Sequence, residues 1–499
     1  MEFQDLPEDV LRAIFNVSDI YAVVSMSRAN KYLRQLAVDK LVWVDLVENL
    51  LYKGFVDRLT TSKVHSYSQE GLVALVKRLL VGPQCWNPPS KAKSHFRLGL
   101  KTSDPKSQSP APAQTVLHPS DVVTSKANEA KLLRGGEYVL FNNRTLECWS
   151  VRHDRLVWAY DKRPGWHSVE FAADVVNGGY SANIIVCECK WEANGDTQWY
   201  VFPACTVQAN KHPHSKTASF VQIVNLDFRT AVSTTLLLAP LLDSASCICN
   251  TVDICGPFAS ATFEDHGNRR QSCSMLINWQ TQSHLKLVSD DLDSPQLVVA
   301  LIPSNVLVLT NNASGCPELR VVDVGAHSRR IADTPNVAAV QISRLHTVMR
   351  ERITFGHSAR FRDPARRELY AYPSPIEDGT FRVWVRMAGY ERSSFRLPSS
   401  ALRRAVLVSY HLSLPRRAGE RMALRRRTAA NASPACSGLS YSGHSHEYVS
   451  FDEQRVFSAG ELQPVASFHL RGSVGYAHIS TYSGAITYPD RNVYVSYFE

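Results

Sequence analysis

Tyr138-Val139-Leu140-Phe141-Asn142-Asn143-Arg144-Thr145-Leu146-Glu147-Cys148-Trp149-Ser150-Val151-Arg152-His153-Asp154-Arg155-Leu156-Val157-Trp158-Ala159-Tyr160 is the stretch that decides the fold. Three short runs rich in β-branched and aromatic residues are separated by polar turns at Asn142-Asn143 and His153-Asp154, the signature of a three-stranded meander. Similar runs recur downstream. Ser181 to Cys189, Phe220 to Leu226 and Ala231 to Leu238 make one unit, with a long polar insertion that carries His212 and His214. Ser274 to Trp279 with His284 to Val288 make another, and Asn305 to Leu309 with Leu319 to Val324 a further one. Phe381 to Val385, Val406 to Leu412 and Arg491 to Tyr497 supply more.

The centres of these units, near Trp149, Asn225, Asn278, Asp323 and Trp384, lie 45 to 76 residues apart. One four-stranded propeller blade of the WD type takes roughly 40–45 residues, so the intervals suit degenerate blades with loop insertions. Gly356-His357 and Gly443-His444 occur without any Trp-Asp dipeptide, which excludes a regular WD array. The expected architecture is an irregular six- to eight-bladed β-propeller, because closure hides strand edges. A pair of β-sandwiches is the alternative.

Upstream of these strands the periodicity is helical. Pro7 suits a first helical turn, Glu8 and Asp9 complement the dipole there, and Val10, Leu11 and Ile14 share a face. Ser18 or Asp19 can cap a second helix bearing Ile20, Val23 and Val24. Tyr32, Leu33 and Leu36 form a third stripe, and Trp43, Leu46, Val47, Leu50 and Leu51 a fourth, stopped by Gly54. So small a unit closes little core alone, and a partner or the rest of the chain must cover what remains apolar.

Leu6-Pro7-x-Asp9-Val10-Leu11-x-x-Ile14-Phe15 resembles the opening of an F-box. Asp19-Ile20, Val24-x-x-Ser27-Arg28, Tyr32-Leu33-x-x-Leu36 and Trp43-x-x-Leu46 follow in that family's order. The connection between the first two helices, Asn16 to Ser18, is shorter than the family usually has. His118-Pro119 and Lys131 to Gly136 with Trp149 also resemble fungal F-box proteins with β-rich C-terminal regions. The resemblance implies a non-enzymatic substrate-receptor subunit of a cullin–RING ubiquitin ligase. Leu6, Pro7, Asp9, Val10, Leu11, Ile14, Ile20, Val24 and Trp43 would then dock or shape the surface for the ligase's small adaptor protein and, through it, the cullin. The β domain would hold an unidentified client.

The 499 residues carry 44% hydrophobic and 20% charged side chains, the profile of a soluble globular chain. A formal charge of +9 is too modest for a dedicated nucleic-acid binder. Met1 leads into acidic residues and not into a secretory leader, and no apolar run is long enough to span a bilayer. The 11 cysteines are odd in number and scattered, which suits a reducing compartment; the expected location is cytoplasmic, nuclear or both. The sequon Asn143-Arg144-Thr145 then has no meaning. A helix over Leu72 to Leu80, with a capping box at Ser66 to Gln69 and a stop at Gly82-Pro83, reads as a link from head to body. Residues 86–114, rich in proline, lysine and serine, read as a tether. The expected domains are 1–54 helical, 55–134 linker and tether, and 135–499 β.

No catalytic, cofactor or metal site is expected. Cys187-x-Cys189 and Cys247-x-Cys249 sit in strands as small hydrophobes, and His444-x-His446 lacks a third ligand. Gly438-Leu439-Ser440-Tyr441-Ser442 misplaces its second glycine for a nucleophile elbow, and no helix pattern follows. Two arginine-rich stretches, 350–367 and 402–427, suit phosphate or carboxylate as guanidinium forks, although solvated loops are the plainer reading.

Overall fold

A computed structural model of the chain describes residues 6–57, 64–82, 114–119, 129–143, 145–161, 166–191, 217–242, 247–265, 272–290, 297–312, 316–323, 329–330, 339–353, 366–390, 403–416, 419–432, 438–440, 449–451, 455–458, 466–467, 478–480, 482–490 and 492–497. The tether, the His212/His214 insertion and His444-x-His446 lie outside them.

The helical head follows its capping residues. α1 (Glu8–Val17) starts after Pro7 with Glu8 and Asp9 in its first turn. Asp19 caps α2 (Ile20–Met26) by accepting from the Ala22 amide at 2.7 Å, and Asn30 caps α3 (Lys31–Ala37) through the Leu33 amide at 2.7 Å. Asp39 caps α4 (Lys40–Tyr52). That helix ends in a Schellman motif: Gly54 at φ +73° donates to Leu51 O, and Phe55 donates to Leu50 O. Ser68, not Ser66, caps α5 (Gln69–Val81), through the Gly71 amide. The helix read as a link to the body is in fact part of the head. Its Leu72, Val76 and Leu79 are buried in one core with Leu11, Phe15, Leu33, Trp43, Val47 and Leu50.

The strands then run in order. β1 (Gln114–Leu117) stands apart; β2 (Glu129–Leu132), β3 (Tyr138–Asn143), β4 (Thr145–Ser150) and β5 (Arg155–Ala159) form the first sheet. β6 (Trp166–Val176), β7 (Ser181–Trp191), β8 (Thr217–Asp227) and β9 (Val232–Leu242) form the second. β10 (Cys247–Cys255), β11 (Phe258–Asp265), β12 (Ser272–Asn278) and β13 (Ser283–Val288) form the third. β14 (Val298–Ile302), β15 (Asn305–Asn311) and β16 (Pro317–Asp323) begin the fourth. β17 (Arg329–Arg330) and β18 (Val340–Gln341) return to the edge of the third before β19 (His346–Arg352) completes the fourth. The fifth is β20 (Arg366–Pro373), β21 (Thr380–Tyr390), β22 (Arg403–Ser413) and β23 (Ala423–Ala432). The sixth is β24 (Gly438–Ser440), β25 (Val449–Phe451), β26 (Arg455–Ser458) and β27 (Ala466–Ser467). The seventh joins β28 (His478–Ile479), β29 (Ala485–Asp490) and β30 (Asn492–Tyr497) to β1.

Among the described residues there are thus seven sheets, each an antiparallel meander of four consecutive strands apart from that last exchange and the short additions to the third. Successive sheets share cores: Phe141 with Val495, Leu146 with Ile184, Ile185 with Phe263, Leu287 with Val308, and Leu309 with Val383. First strands touch first strands, β6 with β10, β10 with β14 and β14 with β20. Face-packed meanders in chain order, closed by β1 pairing with β30, make a β-propeller. The chain is therefore a small helical head followed by a large all-β domain. The expected unit centres, Trp149 to Trp384, fall one in each of the first five sheets. The β domain reaches upstream of residue 135, because β1 and β2 come from the stretch read as linker.

Candidate partner-binding surfaces

The head rests on one face of the propeller, over the connections from first to second strand and from third to fourth. The Tyr21 amide donates to Ile376 O at 2.9 Å, and the Asp378 amide to Asp19 Oδ2 at 3.3 Å. Arg416 ties Asp19 Oδ2 (3.1 Å) to Glu377 Oε1 (3.0 Å), and Lys53 pairs with Asp378 at 2.6 Å. Phe55 meets Tyr482 edge-on at 4.9 Å, and Tyr482 donates to Pro373 O. Two glycines admit the head closely. Gly178 (φ +64°) faces the Tyr52 ring and Gly136 (φ +72°) the Asp57 carboxylate, where a Cβ would overlap either. Burial pushes the Asp57 carboxyl up to about 7, against the opposing pull of Arg78.

The residues expected to meet an adaptor divide into two sets. Leu11, Ile20 and Trp43 are buried in the head's own core, and Trp43 donates from Nε1 to Ala37 O at 2.9 Å. They shape the surface without reaching it. Leu6, Ile14 and Val24 are half-buried, while Pro7, Asp9 and Val10 are exposed. Pro7, Val10, Ile14 and Val17, at i, i+3, i+7 and i+10, form an outward ridge of α1 that no described residue covers completely; Val17 is 85% exposed. Val17, Tyr21, Tyr32, Val38 and Leu41 are exposed apolar residues that the sequence reading did not assign to the surface. The signal for Val17 was present, since it continues the spacing of Val10 and Ile14. The junction had no signal, because its ion pairs join residues 325 and 397 apart.

A second charged cluster lines the first strands. Lys131 Nζ pairs with Glu129 at 3.1 Å, donates to Phe171 O at 3.0 Å and lies 4.4 Å over the Phe171 ring. Burial pulls Lys131 down, but the charges of Glu129 and Glu170 outweigh it and hold the ammonium above its ordinary range. Burial and then the Glu129 charge push Glu170 up to about 8, and burial brings His478 down to about 4. The Lys131 ammonium is held among these acids, and no group of three or more His, Cys, Asp or Glu placed to hold a metal occurs among the described residues. Cys187 and Cys249 are buried, unbridged thiols within strand cores. Gly438–Ser440 pairs as a strand with Val449–Phe451, and the rest of that near-elbow lies outside the described residues.

No family model matches the chain, and no curated protein does. Among solved structures it is similar to Raptor of Chaetomium thermophilum (8% identity, 77% of this chain and 28% of that chain, TM-score 0.39). It is likewise similar to the β-propeller domain of Cps50 (Swd1) of Myceliophthora thermophila (7%, 78% and 100%, TM-score 0.39). The WD40 domain of SCAP from fission yeast compares at 9%, covering 75% and 84%, with a TM-score of 0.35. The chain spans little more than a quarter of the Raptor chain's length. Likenesses this distant carry no argument about function, and the assignment of the fold rests on the sheet order and shared cores above.

Proposed function

We propose that this chain is the substrate receptor of an F-box-type cullin–RING ubiquitin ligase. The head binds the ligase's small adaptor protein, and through it the cullin, while the propeller holds a client. The observation that carries this reading is the outward ridge Pro7, Val10, Ile14 and Val17, left open on a head that other residues, Asp19, Tyr21 and Lys53 among them, dock to the propeller. Ridge residues of this kind, central and apolar, supply hot-spot energy when a partner buries them. The docked junction supports it further, because a head fixed to the propeller holds a client at a set distance from the ubiquitin-charged enzyme. Catalysis then comes from proximity, with the chemistry done by other subunits. A cytoplasmic or nuclear location follows from this role.

The test is co-purification of the chain with the adaptor against a Val10→Asp, Val17→Asp variant. Leu11 is unsuitable for it, since its removal damages the core. Capture by the native chain and at least tenfold loss in a folded variant supports the receptor. The second reading is a propeller interaction scaffold outside any ligase, with the head as its cap. The head's many contacts with the propeller favour it, and absence of adaptor capture by the native chain would leave it standing alone.

A further inference from the structure

The outermost strand of each sheet presents an edge at the propeller's rim, and an open edge invites a further strand unless something guards it. Most of these edges are guarded. Among the described residues β17 and β18 cover β13, while β1 and β27 have only four and two residues. β5 carries the exposed Arg155, β19 the exposed Arg350 and Arg352, and β23 the exposed Arg425, Arg426 and Arg427. β9 is the exception. Its eleven residues, Val232–Leu242, include no charged side chain, and no described residue pairs with its outer edge. Bulges do not set it apart, because the outer pairings of β5, β19 and β23 have register shifts as well.

The first half of β9 stands clear of its neighbours. Val232, Ser233, Thr234 and Thr235 are all exposed, Val232 by 57%. The register on β8 shows which way each of them faces. Ser233 and Thr235 lie opposite Leu226 and Val224, which belong to the core shared with the first sheet. There Ser233 Oγ accepts from Trp158 Nε1 at 3.0 Å, and Thr235 Oγ1 accepts from Gln222 Nε2 at 3.2 Å. Val232 and Thr234 alternate with them and face the third sheet. Leu236, the extra residue at the shift between Ile223 and Val224, packs partly against the core on that same side.

We propose that β9 is a homodimer interface, at which two copies pair antiparallel about a two-fold axis at Thr234. That register sets Val232 against the partner's Leu236 on the third-sheet side and Ser233 against the partner's Thr235 on the first-sheet side. Thr234 meets its own copy on the axis. Apolar pairs and hydroxyl pairs of this kind are favourable cross-strand contacts. A second copy is the occupant that the charges select. β19 and β23 would bring arginines to such an axis, on a chain already at +9, whereas β9 opposes no like charges in any register. A second β9 is also extended before it binds, while a loose client segment must first lose its freedom. The two-fold uses the open edge of both copies, so the pairing closes at two and does not propagate. The interface is separate from the head, so it stands or falls independently of adaptor capture.

Sedimentation equilibrium of the full chain is the test. Pairing over Val232–Leu236 alone makes a small interface, so the expected result is a reversible monomer–dimer equilibrium with a dissociation constant of about 1–100 μM. Thr234→Lys, at an exposed position, should leave the melting temperature unchanged and weaken dimerisation roughly tenfold or more, because it opposes two ammonium groups. Thr234→Glu alone should do the same. An equimolar mixture of the two variants should associate at least as tightly as the native chain. A native chain that is monomeric throughout that range overturns the proposal and leaves β9 to a strand from another polypeptide. Dimerisation that both variants retain, or a mixture that fails to associate, places the contact elsewhere and overturns it as well.

Discussion

Gly178 is the position at which docking of the head is most sensitive to one added carbon. Its φ of +64° disfavours any side chain, and the space beyond it is filled by the Tyr52 ring. Gly178→Ala is expected to cost about 1–3 kcal/mol through backbone strain and loss of the close approach. The check is a lowered melting temperature together with faster amide exchange in α4. Asp57, buried beside Gly136, gives a pH-dependent counterpart. Its carboxyl titrates near 7 in the folded chain against an ordinary value near 3.8, so the folded state binds the extra proton between those limits. The contribution of that protonated form is complete below about pH 4 and is lost as pH rises to about 7. An Asp57→Asn variant lacks this titration. Its melting temperature should therefore gain on the native chain between pH 4 and 7 and hold a constant lead above that window. A lead that shrinks as pH rises would contradict the burial-driven shift; Arg78 and Tyr497 are the ionisable groups acting with Asp57 here.

At the scale of elements, α1 has two apolar faces with different jobs. Leu11 and Phe15 are fully buried, and Leu11→Ala should destabilise the head by about 2–5 kcal/mol in thermal or denaturant unfolding. Val10→Asp with Val17→Asp, at exposed positions, should shift stability by under about 1 kcal/mol while abolishing adaptor capture. The inward face was legible because i, i+3 and i+4 spacing survives in any helix that packs on a core. The outward face was only partly legible, since sequence alone does not say which of two apolar stripes the fold covers. The capping residues were readable to within a position or two: of Ser18 and Asp19 it is Asp19 that caps α2, and of the repeated serines it is Ser68 and not Ser66 that caps α5. Strands β3 to β5 announced themselves by strong residues between polar turns. β1, with four residues, and β28, with two, are too short to show a period, and β10 has no clean alternation.

At the scale of the molecule, the head's place on the propeller was not readable at all. Asp19 and Arg416, or Lys53 and Asp378, have no local pattern to link them across 397 and 325 residues. Closure was readable only in part, from strand-like residues at the end of the sequence; its partner β1 lies in a stretch whose composition reads as tether. Deleting Gln114–Leu117 should expose the edge of β30 and lower the melting temperature of the β domain. Light scattering should show increased association, as unpaired strand edges do. Retention of native melting would contradict the closing role of β1.

Amide exchange of the full chain with and without purified adaptor tests the account's centre most directly, because it reads the free ridge and the docked junction together. The account predicts slowed exchange across Glu8–Val17 on adding adaptor, with the Tyr21 amide at Ile376 and the α4 end at Gly178 unchanged. No protection in α1, or loss of protection at Tyr21 as adaptor binds, would contradict a head that serves its partner while remaining fixed to the propeller.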